Sequence, residues 1–468
     1  MLVPMSPADS MFLIGETREQ PMHVGGLELF DPPEGSDGWD VYGLYERLRG
    51  ETTISSRFRK RPRRSLTTAG LPGWADDAGV DLDHHVRHSA LPKPGRVLEL
   101  LALVSRLHGT PLDHSRPLWE LHLIEGLADG RLAVYTKVHH SVMDGVSAMR
   151  LTAACLSTDP EDEFVPPWVV RRPTPTRSDD PAHELVHADH TALQEVVGSV
   201  RGVLGLAGKT ASIAPALATT LVRGLRGEAA PVSFSAPRTI LNHSISGSRR
   251  VAAQDWPLER LRRIAKSGDY TLNDVVLSMC SGALRRYLLD LNALPDAPLI
   301  AMVPVSLREE GGGREGNAIG MTMCDLATQL PDPGDRLTRV HQSMTEGKAA
   351  LSQMTPLQIL MMSALGMSPV ALNLVLPLQD YARPPFNLII SNVPGPREQM
   401  YLDGGRLSGL YPLSIPFQGQ ALNITCTTYG DDIGFGLVGC RRRVPHLQRL
   451  LGHLEDEVTA LERAVGVA

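Results

Sequence analysis

Residues 132–140 carry the two-residue period of a β-strand. Leu132, Val134, Thr136, Val138 and His140 fall on one face, and Ala133, Tyr135, Lys137 and His139 on the other. Residues 119–127 read as a preceding strand, and Ala128-Asp129-Gly130 supplies turn chemistry between the two, which predicts an antiparallel hairpin. The hairpin ends in two adjacent histidines. Neighbouring strand residues point to opposite faces, so only one of these rings can serve a given site. A helix is predicted over 146–156, directly after Gly145.

Past residue 158 the pattern changes. Residues 161–181 are rich in Pro, Arg and Asp, as linkers are. Leu193, Val196, Val197, Val200 and Leu204 then repeat at helical spacing, and a second helical piece ends near Leu225. A second lobe begins near Leu241. Thr271-Leu272-Asn273-Asp274 opens a helix with Val275, Val276, Met279, Ala283, Tyr287, Leu288 and Leu291 on its apolar side. Strands are predicted over 300–306, 319–326 and 387–392, a hairpin over 422–429 and 433–440, and a closing helix over 446–465. Helices and strands mix in both halves, so the fold class is α/β or α+β. The division expected is 1–158, a linker with crossover helices at 159–236, and 237–468.

Composition narrows the function. A formal net charge of −6 argues against nucleic acid as the main partner. At 468 residues the chain has ample core and needs no covalent staples. Its five cysteines lie far apart with no CxxC pair, so neither a disulfide framework nor a zinc knuckle is expected, and a reducing compartment fits. Residues 1–14 have no basic start and carry Asp9, unlike a signal peptide. Residues 349–379 hold no charge, but Pro356, Pro369 and Pro377 divide them. They read as two short apolar helices, buried or resting on a bilayer, rather than a membrane span.

The candidate chemistry centres on His139-His140-Ser141-Val142-Met143-Asp144-Gly145. Histidine titrates nearest neutrality and is the natural base for a hydroxyl proton. Asp144 could orient the loop or pair with an arginine, and Gly145 is read as allowing a tight turn. The chain holds no G-x-S-x-G elbow, which weakens a serine hydrolase. His84, His85 and His88 lack a partner set with catalytic-zinc spacing and read as surface or interface histidines, so no metal site is expected. The basic run Arg57, Arg59, Lys60, Arg61, Arg63 and Arg64 would attract a cofactor phosphate or lipid headgroups, or is a solvated loop. Thr271 and Asp274 fit a capping box, which leaves Asn273 without a structural reason.

Further strings resemble the bacterial wax ester synthase/diacylglycerol acyltransferase family over nearly the whole chain. They are Met5-Ser6-Pro7-Ala8-Asp9-Ser10-Met11-Phe12, Pro21-Met22-His23-Val24-Gly25-Gly26, Pro117-Leu118-Trp119-Glu120, the HHxxxDG box, Asn273-Asp274-Val275-Val276-Leu277, Pro304-Val305-Ser306-Leu307-Arg308, Gly316-Asn317 and Ser391-Asn392-Val393-Pro394-Gly395-Pro396. HHxxxDG alone would also admit chloramphenicol acetyltransferases, condensation domains and polyketide-associated acyltransferases; the later strings narrow it. The resemblance implies two chloramphenicol-acetyltransferase-like lobes around a tunnel. Acyl-CoA would be the co-substrate, diacylglycerol or a fatty alcohol the acceptor, and no bound cofactor is implied.

Carried over, His140 is the general base. His139, Asp144, Gly145 and Asn273 complete the candidate catalytic set, with Asp144 holding its loop through an arginine such as Arg308. Gly25, Gly26, Trp119, Asp274, Arg308, Asn317, Ser391 and Asn392 are the candidate substrate-binding residues. The expected location is cytoplasmic, peripheral to the inner membrane surface or to lipid droplets. Two rival readings are an acyltransferase of this fold acting on another alcohol, such as a polyketide, and a non-catalytic droplet-binding protein.

Overall fold

The computed structural model describes residues 2–64, 72–169, 236–306, 319–354, 358–359 and 383–467. In chain order, the first half contributes β1 (Val3–Pro4), α1 (Pro7–Gly15), β2 (His23–Phe30), α2 (Val41–Gly50), β3 (Lys60–Arg64) and β4 (Pro72–Asp76). It continues with α3 (Leu82–His85), β5 (Val86–Ala90), α4 (Val97–Gly109), β6 (Trp119–Glu125), β7 (Leu132–His139) and α5 (Gly145–Cys155). The second half contributes β8 (Arg249–Pro257), α6 (Leu258–Lys266), α7 (Leu272–Asp290), β9 (Ile300–Ser306), β10 (Ile319–Asp325) and α8 (Pro333–Ser352). It ends with β11 (Leu388–Val393), β12 (Tyr401–Leu402), β13 (Gly405–Leu413), β14 (Leu422–Tyr429), β15 (Asp432–Cys440) and α9 (Arg449–Ala464).

Two six-stranded mixed sheets carry the fold. The first runs β12-β13-β2-β7-β6-β5 and the second β10-β9-β11-β14-β15-β8; β1, β4 and β3 make a small third sheet. The predicted hairpin is β6–β7, paired antiparallel with Trp119 opposite Val138. Its two faces are packed as the alternation requires. Ala133 and Tyr135 meet α4 through Leu100, Leu101 and Val104, whereas Leu132 and Val134 join Phe30, Leu121 and Leu402 on the other side.

The second lobe buries α7 almost completely against the second sheet, with α6, α8 and α9 around it. Helix starts are set by local chemistry. Thr271 accepts from Asp274 N–H at the start of α7, and Asp332 accepts from Asp335 N–H at the start of α8.

The division by sequence position is crossed at one place. β12 and β13 lie in the second half of the chain yet join the first sheet, with Pro412 opposite Gly26 on β2. β13 also rests on the second sheet. A side-chain carbon on Gly434 would lie 2.3 Å from the Leu410 carbonyl oxygen, and one on Gly436 2.0 Å from that of Pro412. Only glycine admits so close a backbone approach.

Two local expectations need correction. The basic run is not a free loop: Arg57 and Arg59 lie in a 3₁₀ turn, and the rest form β3. Arg59 and Arg61 reach Asp76 and Asp77 on and beside β4, at 3.2 and 3.7 Å, so strand pairing and ion pairs use much of the run. Nor are His84, His85 and His88 one surface cluster. His85 is buried, stacked on Trp119 at 4.3 Å with its Nδ1 2.7 Å from the Trp119 carbonyl. The first residues of the uncharged 349–379 segment belong to the end of α8. Most of the remainder, like the predicted crossover helices after residue 169, lies outside the described residues. Among the described residues no helix is long and apolar enough to cross a membrane.

Candidate active site

β7 ends at His139, and the chain turns into α5 through Ser141 to Asp144. His139 is fully buried. The Ser141 N–H donates to its Nδ1 at 3.1 Å, and the Ser141 hydroxyl lies 2.6 Å from the same nitrogen. Nδ1 is therefore an acceptor and the ring proton sits on Nε2. That N–H faces Glu16 Oε2 at 3.6 Å, too long for a hydrogen bond. Burial pushes Glu16 up, but the His114 and His139 rings outweigh it and hold the carboxyl down at about 2. Its other oxygen accepts the Met22 N–H at 2.9 Å.

His140 faces the other way and is half-buried. Its backbone N–H donates to the Met22 carbonyl at 2.8 Å, and its ring stacks on Phe12 of α1 with centroids 4.1 Å apart. Burial lowers its pKa to about 4, against a raising pull from the Asp144 charge. The ring is thus neutral at pH 7 and keeps a lone pair. Phe12, Val24, Val138, Ala148 and Ile415 form an apolar cluster around this position. Phe417 belongs to it and also packs with Ile300, Met302, Met323 and Ile389 of the second lobe. The His140 region is therefore part of the seam between lobes.

Asp144 is exposed and caps α5, accepting the Ser147 N–H at 2.7 Å. Among the described residues no arginine pairs with it, and Arg308 lies outside them, as does Asn317. The tight-turn reading of Gly145 is not upheld. It is the first residue of α5, lacks a positive φ, and has open space where a side chain would start.

Asp274 is buried, and one of its two carboxyl oxygens is engaged within the protein. Its Oδ2 accepts the Thr271 N–H at 2.8 Å and lies 2.9 Å from His341 Nδ1. Asn273, beside it, is half-buried and outside that box. Ser391 and Asn392 lie half-buried on β11, and the next residue, Val393, packs on Met149 of α5. This brings the SNVPGP strand to the HHxxxDG helix.

Gly25 and Gly26 lie where side chains would collide with neighbouring groups of the sheet. A side-chain carbon on Gly25 would sit 2.9 Å from the Thr136 carbonyl, and one on Gly26 2.5 Å from Glu28 Oε1. Trp119 is buried, donates to the Phe58 carbonyl at 2.9 Å and stacks on Trp168.

An apolar cavity of about 660 Å³, part of it open to solvent, lies between the first sheet and α5. Phe30, Trp119, Val134, Val138, Met143 and Leu151 are among its walls, and Glu28 and Thr136 are among its few polar ones. Sequence reasoning misses Phe12, Glu16, Ser141 and Glu28. Only Glu28 leaves a local signal, as an acid at an inward position of the apolar run at 23–30.

Glu16, His114 and His139 place one ligand-type atom each within 4.8 Å of one another. The Ser141 N–H aims a proton, not a lone pair, from His139 at that point, the wrong tautomer for a metal ligand. The chain also contains His183-Glu184-Leu185-Val186-His187, a match to the H-E-x-x-H zinc pattern that the metal-free expectation does not take into account. It lies outside the described residues.

Two sheet-bearing lobes with an HHxxxDG turn at their seam define an acyltransferase-type fold. Condensation domains share it. One from rhizomide synthetase matches with a TM-score of 0.56 over 99% of this chain and 94% of that one, at 13% identity. The family models for the wax ester synthase/diacylglycerol acyltransferase catalytic domain and its C-terminal domain match residues 5–276 and 315–462. The chain belongs to this family. A Mycobacterium tuberculosis protein described as a "probable" diacylglycerol O-acyltransferase, tgs2, is 48% identical over 465 residues, covering 99% of both chains. The wax ester synthase/diacylglycerol acyltransferase of Marinobacter aquaeolei VT8 matches in structure with a TM-score of 0.76 and 39% identity, over 99% of this chain and all of that one.

Proposed function

We propose that this chain moves a long-chain acyl group from acyl-CoA to the hydroxyl of diacylglycerol or a fatty alcohol, with His140 as general base. The observation that carries this reading is the His140 ring itself: neutral, half-buried, and set at the seam between lobes. The free imidazole nitrogen takes the hydroxyl proton as the oxygen attacks the thioester carbonyl. The tetrahedral oxyanion collapses, the C–S bond breaks, and the CoA thiolate recovers the proton from His140. Asn273, at the N-terminus of α7, is the candidate donor to the oxyanion.

His139 and Glu16 act behind the reacting ring, fixing the turn that presents it. Ser391 and Asn392 approach from the second lobe as candidate substrate contacts. Lipid substrates agree with α1, which turns Phe12 onto His140 while Met11 and Ile14 are exposed at 44% and 47%. Such a helix can rest on a lipid surface, so peripheral association with a membrane or droplet belongs to this reading.

The test is CoA-thiol release from palmitoyl-CoA with diacylglycerol, hexadecanol or a polyketide alcohol as acceptor. His140→Ala should lower the rate about 10²–10⁴-fold with the fold intact. Near-normal turnover by that variant refutes the assignment.

A further inference from the structure

Glu28 stands on the cavity-facing side of β2. Its register partners are Val134 on β7 and Leu410 on β13. The same face of the sheet carries Val24, Phe30, Val138 and Leu121, all apolar. Glu28 is 2% exposed, and neither carboxyl oxygen has a hydrogen-bond partner. Among the described residues no cation forms an ion pair with it. Burial raises its pKa to about 8, so the group is a neutral acid at pH 7.

An unpartnered buried acid is costly, and a leucine in its place would avoid that cost. The strand nevertheless makes room for it. The carboxyl leans back over Gly26, where any side chain would collide with Oε1. The Thr136 hydroxyl lies 3.1 Å from the same point, so two hydrogen-bonding groups meet on a mostly apolar wall. Gly26 is four residues along β2 from Met22, whose carbonyl holds His140, a span of about 13 Å. That is the reach of the middle of a long alkyl chain whose reacting end lies at His140.

We propose that Glu28 is a specificity-determining residue whose carboxylic acid, with Thr136, hydrogen-bonds an oxygen borne mid-chain by the lipid in this cavity. The ligand class is a hydroxylated or keto long-chain acyl or alkyl group. A plain hydrocarbon chain leaves both carboxyl oxygens unpartnered, as they are now. A chain hydroxyl at that depth accepts from the acid O–H and donates to the acid carbonyl, and a keto oxygen accepts from the O–H, so discrimination arises from the cost of the unpaired group. The proposal rests on the acyl-transfer reading for its kinetic arm and for the mid-chain depth at which the oxygen is placed.

The experiment has two arms. In the first, equilibrium binding of octadecanoic acid and of its mid-chain hydroxylated analogue is measured by calorimetry, with no turnover required. The wild-type protein should bind the hydroxylated acid about tenfold or more tighter. Glu28→Leu should remove or invert that preference, and Glu28→Gln, which still donates and accepts, should keep most of it. In the second arm, kcat/KM is compared for the matching acyl-CoA pair with hexadecanol, and for octadecanoyl-CoA with plain and hydroxylated alcohols. This assigns the preference to the donor or the acceptor chain. Equal binding of the two acids by the wild type, or a preference that survives Glu28→Leu, overturns the proposal. Discrimination in binding without any ester formation upholds it and overturns the acyl-transfer reading instead.

Discussion

Gly26 and Glu28 share one face of β2, and the Glu28 Oε1 atom lies 2.5 Å from where a side chain on Gly26 would begin. Gly26 belongs to a string that looks like a ligand-binding glycine motif in the sequence. In the structure its service is to another side chain of the same protein.

Gly26→Ala should therefore destabilise the fold by about 1–3 kcal/mol, through forced displacement of Glu28 and Thr136 in a packed sheet. Removing the displaced group should recover part of the loss. The double variant Gly26→Ala/Glu28→Ala should be more stable than the two single changes predict by addition. Urea unfolding of the four proteins measures this, and strict additivity would separate the two residues.

Glu28 also gives stability a pH dependence of unusual sign. Its pKa stands at about 8 in the fold against an ordinary 4.5. Between those values the unfolded chain has lost a proton that the folded chain keeps. Its contribution to stability should thus fall as pH rises through that window, by roughly 1.4 kcal/mol per unit. Below the window the term vanishes, and above it the loss is constant. Glu28→Gln should remove this slope, so the variant gains on the wild type from pH 5 to 8. Denaturant midpoints across that range check it.

The lowered pKa of His140 bears on rate. With burial holding the ring near 4, the base is already unprotonated at pH 6. The acid limb of kcat/KM should lie near pH 4 and not near the ordinary histidine value of 6.5. A steady-state pH profile with palmitoyl-CoA decides between the two.

Asp144→Ala should have two effects. Loss of the α5 cap should cost about 0.5–2 kcal/mol. Loss of its charge should lower the His140 pKa further, since Asp144 raises it. Asp144→Asn keeps the capping oxygen and loses only the charge. It should restore stability while the acid limb stays displaced, which parallel melting curves and pH profiles can read.

Much of the fold was legible because its signals are local. The β6–β7 hairpin follows from a two-residue period, and the start of α7 follows from a short polar cap. The opposed directions of His139 and His140 follow from the same period. What depends on distant partners was not legible. Glu16 meets His139, and Phe12 meets His140, only once α1 has folded over the end of the hairpin. Trp119 and Asp274 have structural contacts that the motifs do not show: Trp119 stacks on His85 and Trp168 while also walling the cavity, and Asp274 caps α7 and meets His341. The basic run at 57–64 gave no hint of the facing aspartates that turn it into a strand. Glu28 takes an inward position of the run 23–30, but only the folded sheet shows that no hydrogen-bond partner reaches it.

The lending of β13 to the first sheet has a consequence for biogenesis. Until residues 405–413 leave the ribosome, β2 has no neighbour on one side and presents a row of unpaired backbone N–H and C=O groups. The leading half of the polypeptide therefore stays unfinished until nearly all of the protein has been translated, and must be shielded from sticking to its own kind for that long.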